Sequence, residues 1–172
     1  MATTYELIAK SVLGSDAADV TLTSVPSTFD DVLLVASTRC VRAGNLVDGL
    51  RVEFNGDTGS NYSGRYLYGD GSIAVSGVTA TTYVYFGLIP GSTSTSNTFS
   101  NASLLIPNYA GSTNKSVSVT SSHESNGSTA YNWVSAHLWS DTSAITSIRA
   151  FAGSGGNLVS GSSFYLYGIT KA

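Results

Sequence analysis

Tyr131-Asn132-Trp133-Val134-Ser135-Ala136-His137-Leu138-Trp139 places Tyr131, Trp133, His137 and Trp139 at one parity and Val134, Ala136 and Leu138 at the other. Strand side chains alternate between the two faces of a sheet, so this segment predicts a strand with one ring-bearing face and one aliphatic face. Three more segments repeat the pattern. In Arg65 to Tyr68, Leu67 alternates with Tyr66 and Tyr68; in Tyr83 to Ile89, Val84, Phe86 and Leu88 alternate with Tyr83, Tyr85 and Ile89; and Phe164 and Leu166 back onto Tyr165 and Tyr167. A small domain buries one parity in its own core and leaves the other to be solvated, covered or used at an interface. Tyr and Trp suit contacts that are half apolar and half wet, so the ring-bearing parity is expected to face a partner, with the aliphatic parity inside.

Outward from these segments, the rest of the chain reads the same way. Strands are predicted near Tyr5 to Val12, Val20 to Thr23, Val32 to Arg42, Leu50 to Phe54, Arg65 to Tyr68, Thr82 to Ile89, Thr98 to Ile106, Ser116 to Ser121, Tyr131 to Trp139, Ile145 to Phe151 and Ser163 to Ile169. Turn chemistry separates them at Leu13-Gly14-Ser15-Asp16, Asn55-Gly56-Asp57, Gly69-Asp70-Gly71, Pro90-Gly91-Ser92, Asn126-Gly127 and Gly153-Ser154-Gly155-Gly156, which supply the positive φ or side-chain-to-backbone bonds of tight reversals. At most one short helical turn is expected, at Ser140 to Ala144, capped by Ser140 or Asp141. The fold class is all-β, an antiparallel two-sheet sandwich of jelly-roll type. With no internal repeat and no linker, residues 1–172 are expected to form a single domain.

Composition narrows the function. Charged residues make up 11% of the chain against about 25% in an ordinary domain, so the surface must be dressed with Ser, Thr, Asn and Gly. A net charge of −3 and scattered Lys and Arg argue against nucleic-acid binding, which needs several cations on one face. No stretch approaches the roughly 20 apolar residues of a membrane-spanning helix, and Met1 to Lys10 lacks the pattern of a secretory leader, so a polypeptide made soluble in the cytoplasm is expected. Cys40, the only cysteine, reads as a small buried apolar residue.

Constellations that carry catalysis are missing. His123 and His137 do not share a zinc-ligand spacing, and neither a Gly-x-Ser-x-Gly elbow nor a phosphate-cradling Gly-x-x-x-x-Gly-Lys is present. The acids, Glu6, Asp16, Asp19, Asp30, Asp31, Asp48, Glu53, Asp57, Asp70, Glu124 and Asp141, fall mostly in predicted turns, where such side chains bond their own backbone. Glu53 is the most strand-like of them and has no evident second carboxylate for sugar cleavage. Asn55, Asp57, Gly59 and Asn61 alternate as in a calcium loop but lack its closing Glu and its glycine position. Asn-x-Ser patterns at Asn61, Asn101, Asn114 and Asn126 read as chance in a chain this rich in Ser and Asn. No enzyme activity, cofactor or metal is expected. The rings themselves allow three readings: a subunit contact, a second layer buried under the chain's own loops, or a platform on which sugars stack.

Ala2 to Ala9, Val25-Pro26-Ser27-Thr28-Phe29-Asp30-Asp31-Val32, Phe54-Asn55-Gly56-Asp57 followed by Asn61 to Gly69, Ile106-Pro107-Asn108-Tyr109, Leu138-Trp139-Ser140 to Ile148 and Tyr165-Leu166-Tyr167-Gly168-Ile169 together resemble a family of small virion structural proteins of tailed bacteriophages. The resemblance spans nearly the whole chain and rests on turn and strand signatures. It implies a jelly-roll-like sandwich with no catalytic residues, used as a capsid decoration (cement) protein or as a knob on a fibre or tail. On the first reading, a homotrimer on the outer capsid surface bridges neighbouring major capsid subunits through Tyr66, Tyr68, Tyr83, Tyr85, Trp133, Trp139, Tyr165 and Tyr167. On the alternative, a fibre or tail knob recognises host surface polysaccharide by stacking sugars on Trp and Tyr. No membrane partner is expected on either.

Overall fold

The computed structural model describes residues 4–79, 81–126 and 130–171, and every regular element in them is a strand. In chain order these are β1 (Tyr5–Val12), β2 (Asp19–Leu22), β3 (Asp31–Thr38), β4 (Val47–Phe54), β5 (Tyr62–Gly69), β6 (Ala74–Val78), β7 (Val84–Pro90), β8 (Ser100–Pro107), β9 (Lys115–His123), β10 (Tyr131–Trp139), β11 (Ile148–Ala152) and β12 (Ser163–Ile169). They form an eight-stranded sheet, β1-β12-β3-β8-β9-β10-β5-β6, and a four-stranded sheet, β2-β11-β4-β7. All pairings are antiparallel.

This order contains a complete jelly roll. Successive strands β1, β2, β3, β4 alternate between the sheets, β7 stays in the second, and β8, β11, β12 alternate again, giving facing halves β1-β12-β3-β8 and β2-β11-β4-β7. The other four strands are two insertions, β5–β6 after β4 and β9–β10 after β8. The β9–β10 hairpin docks on the free edge of β8 and the β5–β6 hairpin docks on β10, so that the larger sheet is extended as β9-β10-β5-β6.

The core lies between the jelly-roll halves. Val32, Leu34 and Ala36 of β3, Leu104 and Ile106 of β8, and Phe164 and Leu166 of β12 meet Leu50, Val52 and Phe54 of β4, Val84 and Phe86 of β7, and Ile148 and Ala150 of β11, all buried. Each large side chain so covered contributes roughly 1.5–3 kcal/mol. After β4 the chain reverses at Asn55 (φ 55°) and Gly56 (φ 70°), the Asn-Gly pair suited to positive φ. The Asn55 side chain then accepts from the Thr146 and Ser147 amides and donates to the Ala144 carbonyl, tying this turn to the approach to β11. Cys40 is free and fully buried, and burial raises its thiol pKa.

The antiparallel sandwich expected from the alternation is present, with differences at its margins. Strand β6 was not expected: Ala74-Val75-Ser76-Gly77-Val78 is short and contains glycine, and it is a strand because β5 pairs with it. The predicted strand Val32 to Arg42 stops at Thr38, after which Cys40 makes only an isolated bridge with Leu158. Ser140 to Ala144 has no helical turn; Asp141 Oδ1 accepts from the Ser143 amide at 2.7 Å and the segment runs as a bend. The turn expected at Asn126-Gly127 falls partly outside the described residues.

One expectation is reversed. On β10, Trp133, Ser135, His137 and Trp139 are buried while Val134 is 47% exposed, and on β5 Leu67 is 50% exposed while Tyr66 and Tyr68 are half-buried. The ring-bearing parity of these two inserted strands faces inward. On β12 the expected sense holds, with Phe164 and Leu166 inside and Tyr165 and Tyr167 on the outer face.

Candidate functional site

The larger sheet outruns the smaller one. Edge strand β7 lies against β8, β9 and β10 and touches β5. Beyond it the inner face of β10, β5 and β6 forms a shelf, and the rings of that face fill the corner between shelf and edge. Trp133 stacks on Tyr66 with centroids 4.3 Å apart, on Tyr68 at 5.6 Å and on Tyr85 of β7 at 4.9 Å. Tyr131 tilts against Tyr68 at 5.9 Å, and Tyr83 against Tyr85 at 6.5 Å. An open cleft of about 440 Å³ runs between these walls, inside the range of sites that hold small ligands. Trp133 is only 4% exposed and forms its floor, while Tyr66, Tyr68, Tyr83, Tyr85 and Tyr131 stay half-buried around it.

Two glycines make room, Gly77 for the Tyr66 ring at the cleft and Gly64 for the His137 ring beneath it. A Cβ on Gly77 would sit 2.6 Å from the Tyr66 hydroxyl oxygen, and one on Gly64 would sit 2.2 Å from His137 Nδ1. Beneath the floor, the Trp133 indole N–H donates to Ser135 Oγ at 3.0 Å, and His137 Nε2 lies 2.9 Å from the same oxygen. An indole nitrogen only donates, so the serine accepts from Trp133, and its hydroxyl proton and second lone pair both remain for His137.

The cleft is uncharged. Its lining among the described residues holds no carboxylate and no cation; on the flank, the Arg51 guanidinium lies 4.2 Å above the Tyr83 ring. Burial pushes the Tyr85 hydroxyl up to about 12, so it stays protonated. Burial also holds His137 down to about 4, only partly offset by the Tyr85 carbonyl, so its imidazole is neutral at physiological pH. Such a surface stacks on apolar ring faces and offers phenolic hydroxyls at its edges. Among the described residues no three His, Cys, Asp or Glu side chains are grouped to hold a metal. Asp57, from the calcium-like stretch, is occupied by the Gly59 amide, the Asn61 amide side chain and the Trp139 indole, with the indole the main cause of its lowered pKa.

The eight residues expected at an interface therefore divide three ways. Tyr66, Tyr68, Tyr83, Tyr85 and Trp133 come together in the cleft. Trp139 is set apart: it is 1% exposed, packs on Phe54 at 5.5 Å and Tyr62 at 6.4 Å, and donates its indole N–H to Asp57 Oδ2 at 2.7 Å. Its own chain covers it, which corrects its placement on a partner surface. Tyr165 and Tyr167 lie on the outer face of the larger sheet, beside Val35 and Leu33 of β3. Tyr131 shares the parity of Trp133 and belongs to the cleft, and that parity was the available signal for it. Gly64 had no local signal, because its contact with His137 depends on β5 pairing with β10; Gly77 was missed together with β6, and Ser135 shares the parity of Trp133 and His137, two residues from each, which was its available signal.

No family model matches the chain, and no curated protein matches it. Among solved structures, the chain is aligned with the CBM2 module of the evolved Dit of Lactobacillus casei BL23 phage J-1 at 9% identity, over 96% of this chain and 77% of that one, with a TM-score of 0.19.

Proposed function

We propose that this chain is a non-enzymatic glycan-binding module, a fibre or tail knob of a virion that recognises uncharged polysaccharide on the host surface. The observation that carries the proposal is the open, neutral, ring-lined cleft between the shelf and β7. A pyranose presents a face of C–H groups that packs on an aromatic ring, and its hydroxyls find partners in the phenols at the rim. Two walls of rings, Tyr66, Tyr68 and Tyr131 on one side and Tyr83 and Tyr85 on the other, can hold a sugar chain along its length. Assignment to a virion rests on the family resemblance. The capsid-cement reading needed a ring-bearing face turned outward; with Trp133 and Trp139 turned inward, the rings support the host-recognition reading instead.

The test is binding of the purified protein to a panel of neutral and acidic cell-surface polysaccharides, followed by calorimetry with Tyr68→Ala. A neutral glycan is expected to bind, and the variant to weaken binding at least tenfold, about 1.4 kcal/mol, with its circular dichroism unchanged. Failure to bind any glycan, together with stoichiometric decoration of purified capsids, would return the molecule to the cement class.

A further inference from the structure

We infer that β6 is a self-association strand, across which two copies of this chain join into one continuous antiparallel sheet. The other open edges of the molecule are guarded. Edge strand β1 carries Glu6 and Lys10 and a register shift between Leu7 and Ala9. On the small sheet, β2 is four residues long and starts at Asp19, whose carboxylate is held by Arg149 at 3.1 Å; β7 has an irregular register with β4 and lies along the aromatic cluster. Such charges, short lengths and bulges are how natural sheets discourage edge pairing. Ala74-Val75-Ser76-Gly77-Val78 has no charge, no proline and no bulge in its pairing with β5. Val78 within it is 63% exposed, and around it Ile73, Leu67 and Val134 are 59%, 50% and 47% exposed.

The occupant follows from the register. The Thr79 amide donates to the Gly64 carbonyl and the Ile73 carbonyl accepts from Asp70, so odd-numbered residues of β6 turn their backbone groups toward β5, and Ala74, Ser76 and Val78 turn theirs to the open edge. A second β6, antiparallel about a two-fold axis at Ser76, sets Ser76 opposite Ser76, Ala74 opposite Val78 and Val75 opposite Gly77. Every large side chain then meets a small one, no like charges oppose, and roughly six main-chain hydrogen bonds close. A strand this short buries less than a standard interface of about 1,600 Å², so the dimer is expected to dissociate in the micromolar range. Because the axis is perpendicular to the sheet, both clefts open on the same side; on the proposed glycan-binding reading this makes the dimer bivalent.

The experiment measures mass, independently of any glycan. Sedimentation equilibrium of the full chain up to about 100 µM is expected to show a reversible shift from 17.8 kDa to twice that mass. Ser76→Pro, which removes an edge-facing amide, and Ser76→Lys, which opposes two cations at the axis, should both stay monomeric with wild-type circular dichroism; either one folding suffices for the comparison. Ser76→Cys should be cross-linked to a dimer by a short bis-maleimide at least ten times faster than Ser118→Cys on the outer face of β9, the native Cys40 being buried. A wild-type monomer at the highest concentration, a trimer, a dimer that Ser76→Lys leaves intact, or equal cross-linking at the two positions would each overturn the inference.

Discussion

Strands β12 and β10 are written in the same alternation and fold with opposite faces inward. In β12, within the jelly roll, Phe164 and Leu166 are buried and Tyr165 and Tyr167 face out; in β10, within an inserted hairpin, Trp133 and Trp139 are buried and Val134 faces out. The difference lies in what covers each strand. The smaller sheet lies over β12, and aliphatic side chains fill the narrow space between two packed layers. It ends at β7, close to the middle of β10, and past that edge a small aliphatic side chain would have nothing above it. Large flat rings supply their own cover there by stacking on one another and against the edge strand, and the same property leaves a neutral cleft at the surface.

Four measurements break or sharpen this contrast. The largest effect is expected at the covered end of β10, where Trp139→Ala removes a buried indole packed on Phe54 and Tyr62 and should cost about 3–5 kcal/mol in urea unfolding; a cost below 1 kcal/mol would place Trp139 outside the core. Acid comes next. His137 is held down to about 4 in the fold against 6.5 unfolded, so between those values the unfolded chain binds the extra proton. Stability is complete above the unfolded pKa and falls on acidification from pH 6.5 to 4 by on the order of 3 kcal/mol. His123, lowered by burial, acts in the same direction. Unfolding midpoints measured across that window and a histidine NMR titration check the sign; a His137 that titrates near 6.5 would mean that the shelf is wet beneath Trp133.

Gly49→Ala addresses the seam between the two regions. Its Cβ would fall 2.4 Å from the Tyr85 hydroxyl oxygen, and Tyr85 is held against Trp133, so the ring must shift, at a cost of about 1–2 kcal/mol. A changed tryptophan emission should accompany the loss, and an unchanged one would show that the β7 wall yields freely. The smallest stability effect belongs to Tyr68→Ala on the open shelf: less than about 1 kcal/mol, against at least a tenfold loss of glycan affinity.

The strands were legible where alternation and turn residues agree, in the jelly roll and the insertions alike; the limits of Tyr131–Trp139 and Ser163–Ile169 and the turn at Asn55-Gly56 could all be read locally. Which face of β5 and β10 lies inside was not legible. Alternation defines two faces but not where the opposing sheet ends, and that is decided by hairpins distant in sequence that meet when Trp133 pairs with Tyr68. Likewise Trp139 looked like its neighbour Trp133, and its partner Asp57 is 82 positions away. The ring composition of the cleft could be read from the chain, but its position and its covered floor could not.

The two tryptophans divide the account between them, one beneath the cleft and one in the core. In a proton–nitrogen correlation spectrum of labelled protein, titration with a bound neutral oligosaccharide is expected to shift the Trp133 indole signal, assigned with Trp139→Phe, and to leave that of Trp139 in place. A saturable shift of Trp139 with Trp133 unmoved, or binding that disturbs neither, would contradict the assignment of the shelf as the site.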